Sequence, residues 1–205
     1  GAGISTDSGI PDFRSPGGLW SRLAPIDFRD FMASDEMRVE TWRRKILLDQ
    51  EIVKPEPNNA HYAISQLVDV GKVSKVITQN IDNLHQNSGL SDDQVIELHG
   101  NGTFAKCLNC EKKYQINLIK EQFKKDNLAP VCECGGYIKS ATVSFGQSMP
   151  PEAMRAAEEA SLACDLFIAV GSSLKVFPAA GFPLLAKENG AKFVQEIKRQ
   201  WRYQS

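Results

Sequence analysis

The sequence predicts an α/β protein: a doubly wound, Rossmann-like parallel sheet carrying an inserted small zinc-binding module and a helical segment. Three observations predict it. Glycine-rich or polar turns stand at Gly1–Gly3, Gln79–His85 and Gly171–Leu174, and the second and third directly follow short apolar runs. Helix-patterned stretches alternate with those runs, which in a parallel sheet brings successive strand exits to one rim. Four of the five cysteines form two tight pairs, Cys107/Cys110 and Cys132/Cys134, inside a polar stretch that interrupts the alternation.

Bulk properties narrow the function classes. A chain of 205 residues can hold one sizeable core, or one core plus a small satellite. A formal net charge of -1, with 24% charged residues, excludes a nucleic-acid binder that works through bulk positive charge. No apolar run approaches the roughly 20 residues that span a bilayer, so neither nucleic acid nor membrane is an expected partner. No signal-peptide pattern is present, and paired cysteines without one point to metal in a reducing compartment. The sequence therefore reads as cytoplasmic.

The first stretch, Gly1-Ala2-Gly3-Ile4-Ser5, lets the backbone turn tightly and offers free N–H groups to a phosphate if it opens a helix. Alone, a Gly-x-Gly fits a surface turn equally well. Asp12-Phe13-Arg14 has the look of a gripping loop, and Ser15 to Gly18 is loop material. Leu19 to Gln50 reads as mixed short helices, with Trp42, Ile46 and Leu47 at helical spacing, and Lys54-Pro55-Glu56-Pro57 is a stop. The run Arg43-Arg44-Lys45 reads as a solvated helix face.

A helix capped by Asn58 or Asn59 runs to about Val70, with Ala60, Ile64, Leu67 and Val68 inward and His61 playing no special part. Val73 to Thr78 is a strand that delivers Gln79, Asn80, Ile81 and Asp82 to its carboxyl end, where ligands bind in open parallel sheets. His85, beyond them, reads as an orienting or packing residue. Val95 to Gly100 is a second strand ending on His99. A lone histidine is usually structural, but this one stands at a strand exit just after the polar cluster.

Cys107-x-x-Cys110 and Cys132-x-Cys134 are separated by 21 residues. Four thiolates in two knuckles suit tetrahedral zinc with every position filled by protein, so this metal would serve folding, not chemistry. The second pair has one intervening residue instead of two, and a redox pair or disulfide stays open as the alternative. The segment between the pairs has too few apolar residues for a core of its own, which fits a module held by metal. Beyond it, Thr142 to Phe145 is strand-like and Pro151 to Ala163 is helical. Cys164 reads as a buried thiol, and Leu166 to Val170 as a central parallel strand. Its exit, Gly171-Ser172-Ser173-Leu174, can hold a ribose or phosphate. A helix from about Pro178 to Glu188 and a strand from Ala191 to Val194 follow. The expected division is a discontinuous nucleotide-binding domain over 1–16, 58–104 and 141–205, a helical insertion over 17–57, and a zinc module over 105–140.

Taken in order, Gly1-Ala2-Gly3-Ile4-Ser5, Asp12-Phe13-Arg14, Thr78-Gln79-Asn80-Ile81-Asp82, Leu98-His99-Gly100, the cysteine pairs, Phe145-Gly146 and Gly171-Ser172-Ser173-Leu174 resemble the sirtuin family, in its bacterial form. These are NAD-dependent protein-lysine deacylases, and the resemblance runs to about Val194. It implies NAD as co-substrate, one structural zinc, an acylated-lysine protein or peptide as partner, and nicotinamide and O-acyl-ADP-ribose as products. By the same resemblance Gly1, Ala2, Gly3 and Ser5 form the pyrophosphate turn, and Asp12, Phe13 and Arg14 a cofactor loop whose Phe13 keeps water from the reacting ribose. Gln79, Asn80, Ile81 and Asp82 hold the nicotinamide end, with Asn80 and Asp82 counted among the catalytic residues. His99 is the general base, a role that an unperturbed imidazole, with a pKa of about 6.5, can fill near neutrality. Gly171, Ser172 and Ser173 bind the adenosine ribose, and Val143, Ser144, Phe145 and Gly146 pair with substrate backbone by strand addition.

Two departures qualify the resemblance. The family's strand ahead of the glycine turn is missing, and Gln195 onward does not match its apolar strand ending in Asn, so both ends read as truncated. Alternatives therefore stay open: mono-ADP-ribosyl transfer, or a catalytically impaired module that binds NAD or acyl-lysine. Sirtuins that prefer acidic acyl groups carry a Tyr and an Arg where this chain has Glu40 and Arg43, so the expectation is removal of acetyl or other uncharged groups.

Overall fold

The computed structural model describes residues 1–11, 18, 21, 23–52 and 54–196. Two 3-10 turns, Ala2–Ile4 and Thr6–Ser8, open it. Then come α1 (Phe28–Ala33), α2 (Asp35–Glu51), α3 (Asn59–Asp69), β1 (Val76–Thr78), α4 (Leu84–Asn87), β2 (Val95–Glu97), β3 (Gly100–Cys107) and β4 (Lys113–Gln115). The remainder is α5 (Ile116–Asp126), β5 (Ile138–Thr142), α6 (Pro151–Ala163), β6 (Leu166–Val170), α7 (Gly181–Glu188) and β7 (Lys192–Glu196).

Helix starts follow local chemistry. The Asp27 carboxylate accepts the Arg29 N–H at 2.9 Å to open α1, and Ser34 Oγ accepts the Met37 N–H at 3.3 Å to open α2. Asn58 Oδ1 accepts the Ala60 N–H at 2.9 Å, while His61 Nδ1 accepts the Asn58 N–H at 3.2 Å, closing a reciprocal cap on α3. His61, expected to be unremarkable, is thus a fully buried capping residue. On α2, Arg43 and Arg44 both pair with Glu40, and Lys45 pairs with Asp49, so the basic run is an ion-paired helix face.

The parallel strands form two pairs. β1 runs beside β2 with Val76 opposite Val95, and β6 beside β7 with Leu166 opposite Lys192. No ladder joins the two pairs among the described residues. The Gly1–Ile4 turn stands between them instead: the Gly1 nitrogen donates to the Val170 carbonyl at 2.8 Å, and Asn80 Nδ2 donates to the Gly1 carbonyl at 3.3 Å. Both pairs share one core in which Ile77, Ile96, Leu98 and Phe167 meet Ala157 of α6 and Phe182 of α7. On the other face of β1 and β2, Val68 and Ile64 of α3 pack with Val73, Val95 and Leu90. Helices thus cover both faces of β1 and β2, the doubly wound layering that the alternation predicts. Leu166 and Ile168 of β6, expected in a fully buried strand, are instead exposed, while Ala169 is buried.

Two strand predictions need correction. Val95 to Gly100 does not continue as one strand: β2 stops at Glu97, and Gly100, at φ +71°, starts β3 in a different sheet. The left-handed backbone is tolerated because Gly100 has no Cβ; one would lie 2.1 Å from the Ala141 carbonyl oxygen. The strand expected over Thr142 to Phe145 lies earlier, and only Thr142 belongs to β5.

The cysteine-bearing segment is better built than its composition suggests. β3 pairs antiparallel with β4 and β5 in the order β4-β3-β5. Its core gathers Ala105, Ile119, Phe123 and Ile138 around Trp42, which α2 supplies. The Trp42 indole N–H also donates to the Ile138 carbonyl at 3.1 Å. The shortage of apolar residues between the cysteines is met by borrowing this large side chain from outside.

Candidate functional site

Two turns meet backbone to backbone at the rim. The Gly3 N–H donates to the Gly171 carbonyl at 2.9 Å. Gly171 has φ +59°, and a Cβ there would sit 2.3 Å from the Ile4 nitrogen; one on Gly3 would sit 2.8 Å from the Gly171 oxygen. Glycine at both positions is therefore a steric requirement. Asn58 adds a tie that the sequence showed only as a cap: its Nδ2 donates to the Ile4 carbonyl at 2.8 Å and to Ser8 Oγ at 2.9 Å.

Beside this junction the β1 exit forms a polar network. The Ser5 hydroxyl donates to Asp82 Oδ2 at 2.6 Å, and Asn80 Nδ2 donates to Ser5 Oγ at 3.2 Å. Asp82 Oδ1 accepts the Leu84 N–H at 3.0 Å, starting α4, and Thr78 Oγ1 accepts the Asn80 N–H at 3.0 Å. Gln79 Nε2 reaches Ser172 Oγ at 3.4 Å, linking the β1 and β6 exits. The Ile81 carbonyl accepts the Gly102 N–H at 2.8 Å, tying the same loop to β3.

His99 lies just past the end of β2, with Nδ1 3.0 Å from the Gln79 carbonyl oxygen. A carbonyl can only accept, so the neutral ring carries its proton on Nδ1 and its lone pair on Nε2. That is the tautomer a general base needs. The His99 carbonyl accepts the Val143 N–H at 2.8 Å, which attaches segment 143–146 to the same corner. There the Ser144 N–H donates to Gln147 Oε1 at 3.1 Å, and the Phe145 carbonyl accepts the Phe28 N–H at 2.8 Å. At Gly146, with φ +76°, a Cβ would press on the Asp27 carboxylate at 2.8 Å.

The structure thus brings Gly1, Gly3, Ser5, Gln79, Asn80, Asp82, Gly171 and Ser172 into one bonded cluster, with His99 joined through Gln79. Ala2 lies in the opening turn, its carbonyl accepting the Ser5 N–H at 3.1 Å. Ser173 follows Ser172 in the turn after β6. Asp12, Phe13 and Arg14 lie outside the described residues.

His61 and His85 stack edge to face beneath this cluster, their ring centroids 5.1 Å apart, and both are buried. Burial, with a further push from His61, lowers the His85 pKa to about 4; Asp82 opposes the shift. A folded-state value below the ordinary 6.5 means that the contribution to stability is complete above about pH 6.5 and is lost as pH falls toward 4. We expect about 3 kcal/mol of unfolding free energy to disappear across that window. Denaturant titrations of the parent and of His85→Phe at pH 7 and pH 4 check this. An acid loss of the same size in the variant would refute the assignment.

The four cysteines converge. Their Sγ atoms all lie within 4.8 Å of one another. Cys107 and Cys134 are 3.5 Å apart, and Cys110 and Cys132 are 3.7 Å apart. A tetrahedron with Zn–S bonds of about 2.3 Å has edges of about 3.8 Å, so the set fits zinc. These spacings far exceed a sulfur–sulfur bond of about 2.05 Å, and none of the five cysteines is in a disulfide, so the arrangement is that of metal ligands and not of the disulfide alternative. The short Cys132-x-Cys134 spacing is accommodated by a tight turn. There the Gly135 N–H donates to the Cys132 carbonyl and the Cys132 N–H to the Gly136 carbonyl, each at 2.8 Å. The Tyr114 hydroxyl donates to Cys132 Sγ at 2.9 Å, supporting a ligand from outside the metal shell. Cys164, by contrast, is only half-buried and donates to the Ser161 carbonyl at 3.3 Å.

A glycine turn wedged between two parallel strand exits, together with a separate small sheet that carries four convergent thiols, marks an α/β protein of the nucleotide-binding type with a metal-binding module. Residues 1–178 match the Sir2 family. The chain belongs to that family. It is 56% identical over 195 residues to an NAD-dependent protein deacetylase of Rhodopseudomonas palustris, covering 95% of this chain and 77% of the relative. It is also similar to a solved Sir2–p53 peptide–NAD+ complex, with a TM-score of 0.82 and 38% identity over 95% of this chain and 77% of that one. A Sir2 variant solved with deacetylated p53 peptide and 3'-O-acetyl ADP ribose gives a TM-score of 0.83 and 37% identity, covering 95% of this chain and 78% of that one. Among the described residues, no helix is long and apolar enough to cross a membrane.

Proposed function

We propose that this protein is an NAD-dependent protein-lysine deacylase that removes acetyl and other uncharged acyl groups. The observation that carries the reading is the corner where His99, oriented through Nδ1 by the Gln79 carbonyl, also holds Val143 through its own carbonyl. One residue thereby joins the Gln79 loop, read as the nicotinamide end, to segment 143–146, read as the peptide-binding stretch. The solved Sir2 relatives with NAD+, p53 peptide and acetyl ADP ribose support the assignment.

Bound NAD would supply an activated ribose: the acyl oxygen bonds the anomeric carbon as the bond to nicotinamide breaks, a ribose hydroxyl then takes over the acyl carbon, and one water releases the lysine amine, so the acyl group ends on ADP-ribose. The chain's own residues position and deprotonate. His99 Nε2 takes a ribose hydroxyl proton. Gly1 to Gly3, Gly171, Ser172 and Ser173 cradle phosphate and ribose, while Gln79, Asn80, Ile81 and Asp82 hold the nicotinamide end. Segment 143–146 offers its backbone to the acyl-lysine peptide, which brings the two reactants together in line. Asp12, Phe13 and Arg14 complete the reading as the cofactor loop. Zinc held by Cys107, Cys110, Cys132 and Cys134 braces the module without taking part in the chemistry. Cysteines paired for a metal instead of disulfides suit a reducing compartment, and we place the protein in the cytoplasm.

Acyl preference follows from α2. Arg43 is engaged by Glu40 at 2.5 Å, and Glu40 also pairs with Arg44 at 2.6 Å. By the resemblance that puts these positions at the acyl end, an acidic acyl group would meet an arginine already paired with Glu40, whose carboxylate competes for it. Nicotinamide release is therefore expected to require an acyl-lysine peptide, with acetyl favoured over succinyl by about tenfold or more. Release independent of peptide, or equal rates with both peptides, would count against the proposal.

A further inference from the structure

Lys139 is a buried cation that the proposed chemistry does not use. It lies on β5 at 2% exposure. Among the described residues no carboxylate pairs with it, and Lys106, directly opposite on β3, carries the same charge. Its ammonium instead donates to the Thr142 carbonyl at 2.6 Å. Burial, followed by the Lys106 charge, pulls its pKa down to about 8, so it is cationic at neutral pH but costly to keep so. An apolar side chain in the same place would avoid that desolvation. What only a donor can supply here is direction.

The direction matters because of where Thr142 sits. The β3–β5 ladder shifts register between Gly100 and Ala105, so regular pairing does not carry through to the end of β5. Gly100 lies opposite Thr142, and the next residue, Val143, donates to the His99 carbonyl. At this point β5, the His99 corner and segment 143–146 meet, and the Lys139 bond bridges the interrupted stretch.

We propose that Lys139 is a positioning residue whose ammonium clamps the Thr142 carbonyl and so sets segment 143–146 against His99 for the acyl-lysine peptide. The part concerning peptide rests on the deacylase reading; the clamp itself does not.

Lys139→Met tests it with two readouts, residue-resolved amide exchange and steady-state kinetics. Losing a charge-assisted bond should speed Val143 exchange by about tenfold, while the Ala105 and Tyr114 amides in the same sheet keep their protection. The peptide KM should rise about tenfold with the NAD KM moving less than about twofold. Lys139→Gln, which keeps a neutral donor, should fall between, and it carries the same readouts if the methionine variant does not fold. Unchanged Val143 exchange, or loss spread evenly over the sheet and over both KM values as a merely structural lysine would give, overturns the proposal. If the parent chain shows no deacylation while Val143 loses protection in the variant, the clamp stands and the deacylase reading fails.

Discussion

His99→Ala is expected to lower NAD-dependent deacylation by roughly 10²- to 10⁴-fold, the range of a positioned general base. NAD binding measured by calorimetry should change little, because the phosphate and ribose groups assigned above lie on other loops. The geometry makes the expectation specific. His99 is oriented through Nδ1 by a main-chain oxygen, so the proton-accepting nitrogen is Nε2. His99→Gln can keep a donor toward Gln79 but has no basic nitrogen, and it should be nearly as inactive as the alanine variant. Activity within a few-fold of the parent in either variant would remove His99 from the mechanism.

Removing the metal should have the other large effect. Structural zinc sites contribute about 10–16 kcal/mol of apparent binding free energy in small zinc-folded peptides. Here the cluster joins the chain before β4 to the chain before β5, and Gly136 packs so closely that a Cβ would sit 2.5 Å from Cys107 Sγ. Chelation, or Cys134→Ser, should release about one zinc per chain and unfold the β4-β3-β5 sheet. Trp42 then reports the event, since it is 1% exposed and packed into that sheet. Its emission should shift toward that of a solvated indole, and the shift should be missing in Trp42→Phe. A protein that contains no metal yet keeps Trp42 buried would show that the four thiols do not need an ion.

The contrast between the two ends of the zinc module explains what the sequence made legible. The cysteine spacing was readable because tetrahedral coordination demands a narrow set of local separations. The turns at Gln79 and Gly171 are readable for a similar reason, since each marks itself by residue type after an apolar run, whereas the Gly1 turn is marked by its glycines alone. What could not be read was long-range. Nothing local to Trp42 says that it will serve as the core of a segment whose cysteines begin at Cys107. Nothing local to Lys139 says that its ammonium will be buried against the Thr142 carbonyl. Asn58 was recognisable as a helix cap, yet its second role, binding Ile4 and Ser8, depends on a contact across about fifty positions. The break after Glu97 leaves no local mark, because strand-like Val95 and Ile96 are followed by the equally apolar Leu98. The left-handed Gly100 that redirects the chain into β3 is explained only by its approach to Ala141.

The His61–His85 pair is a related case. His85 was read as packing or orienting, and it is buried; His61 was read as inert, and it caps α3. Their mutual contact below Ser5 and Asp82 joins two helices whose sequence patterns carry no sign of each other.

The central claim is that one cleft transfers the acyl group from lysine to the ADP-ribose of NAD. Mass spectrometry of a reaction containing the protein, NAD and an acetyl-lysine peptide tests it most directly. The expected result is nicotinamide, deacetylated peptide and acetyl-ADP-ribose in equal amounts. Free acetate formed without nicotinamide release, or a peptide made heavier by ADP-ribose, would contradict it.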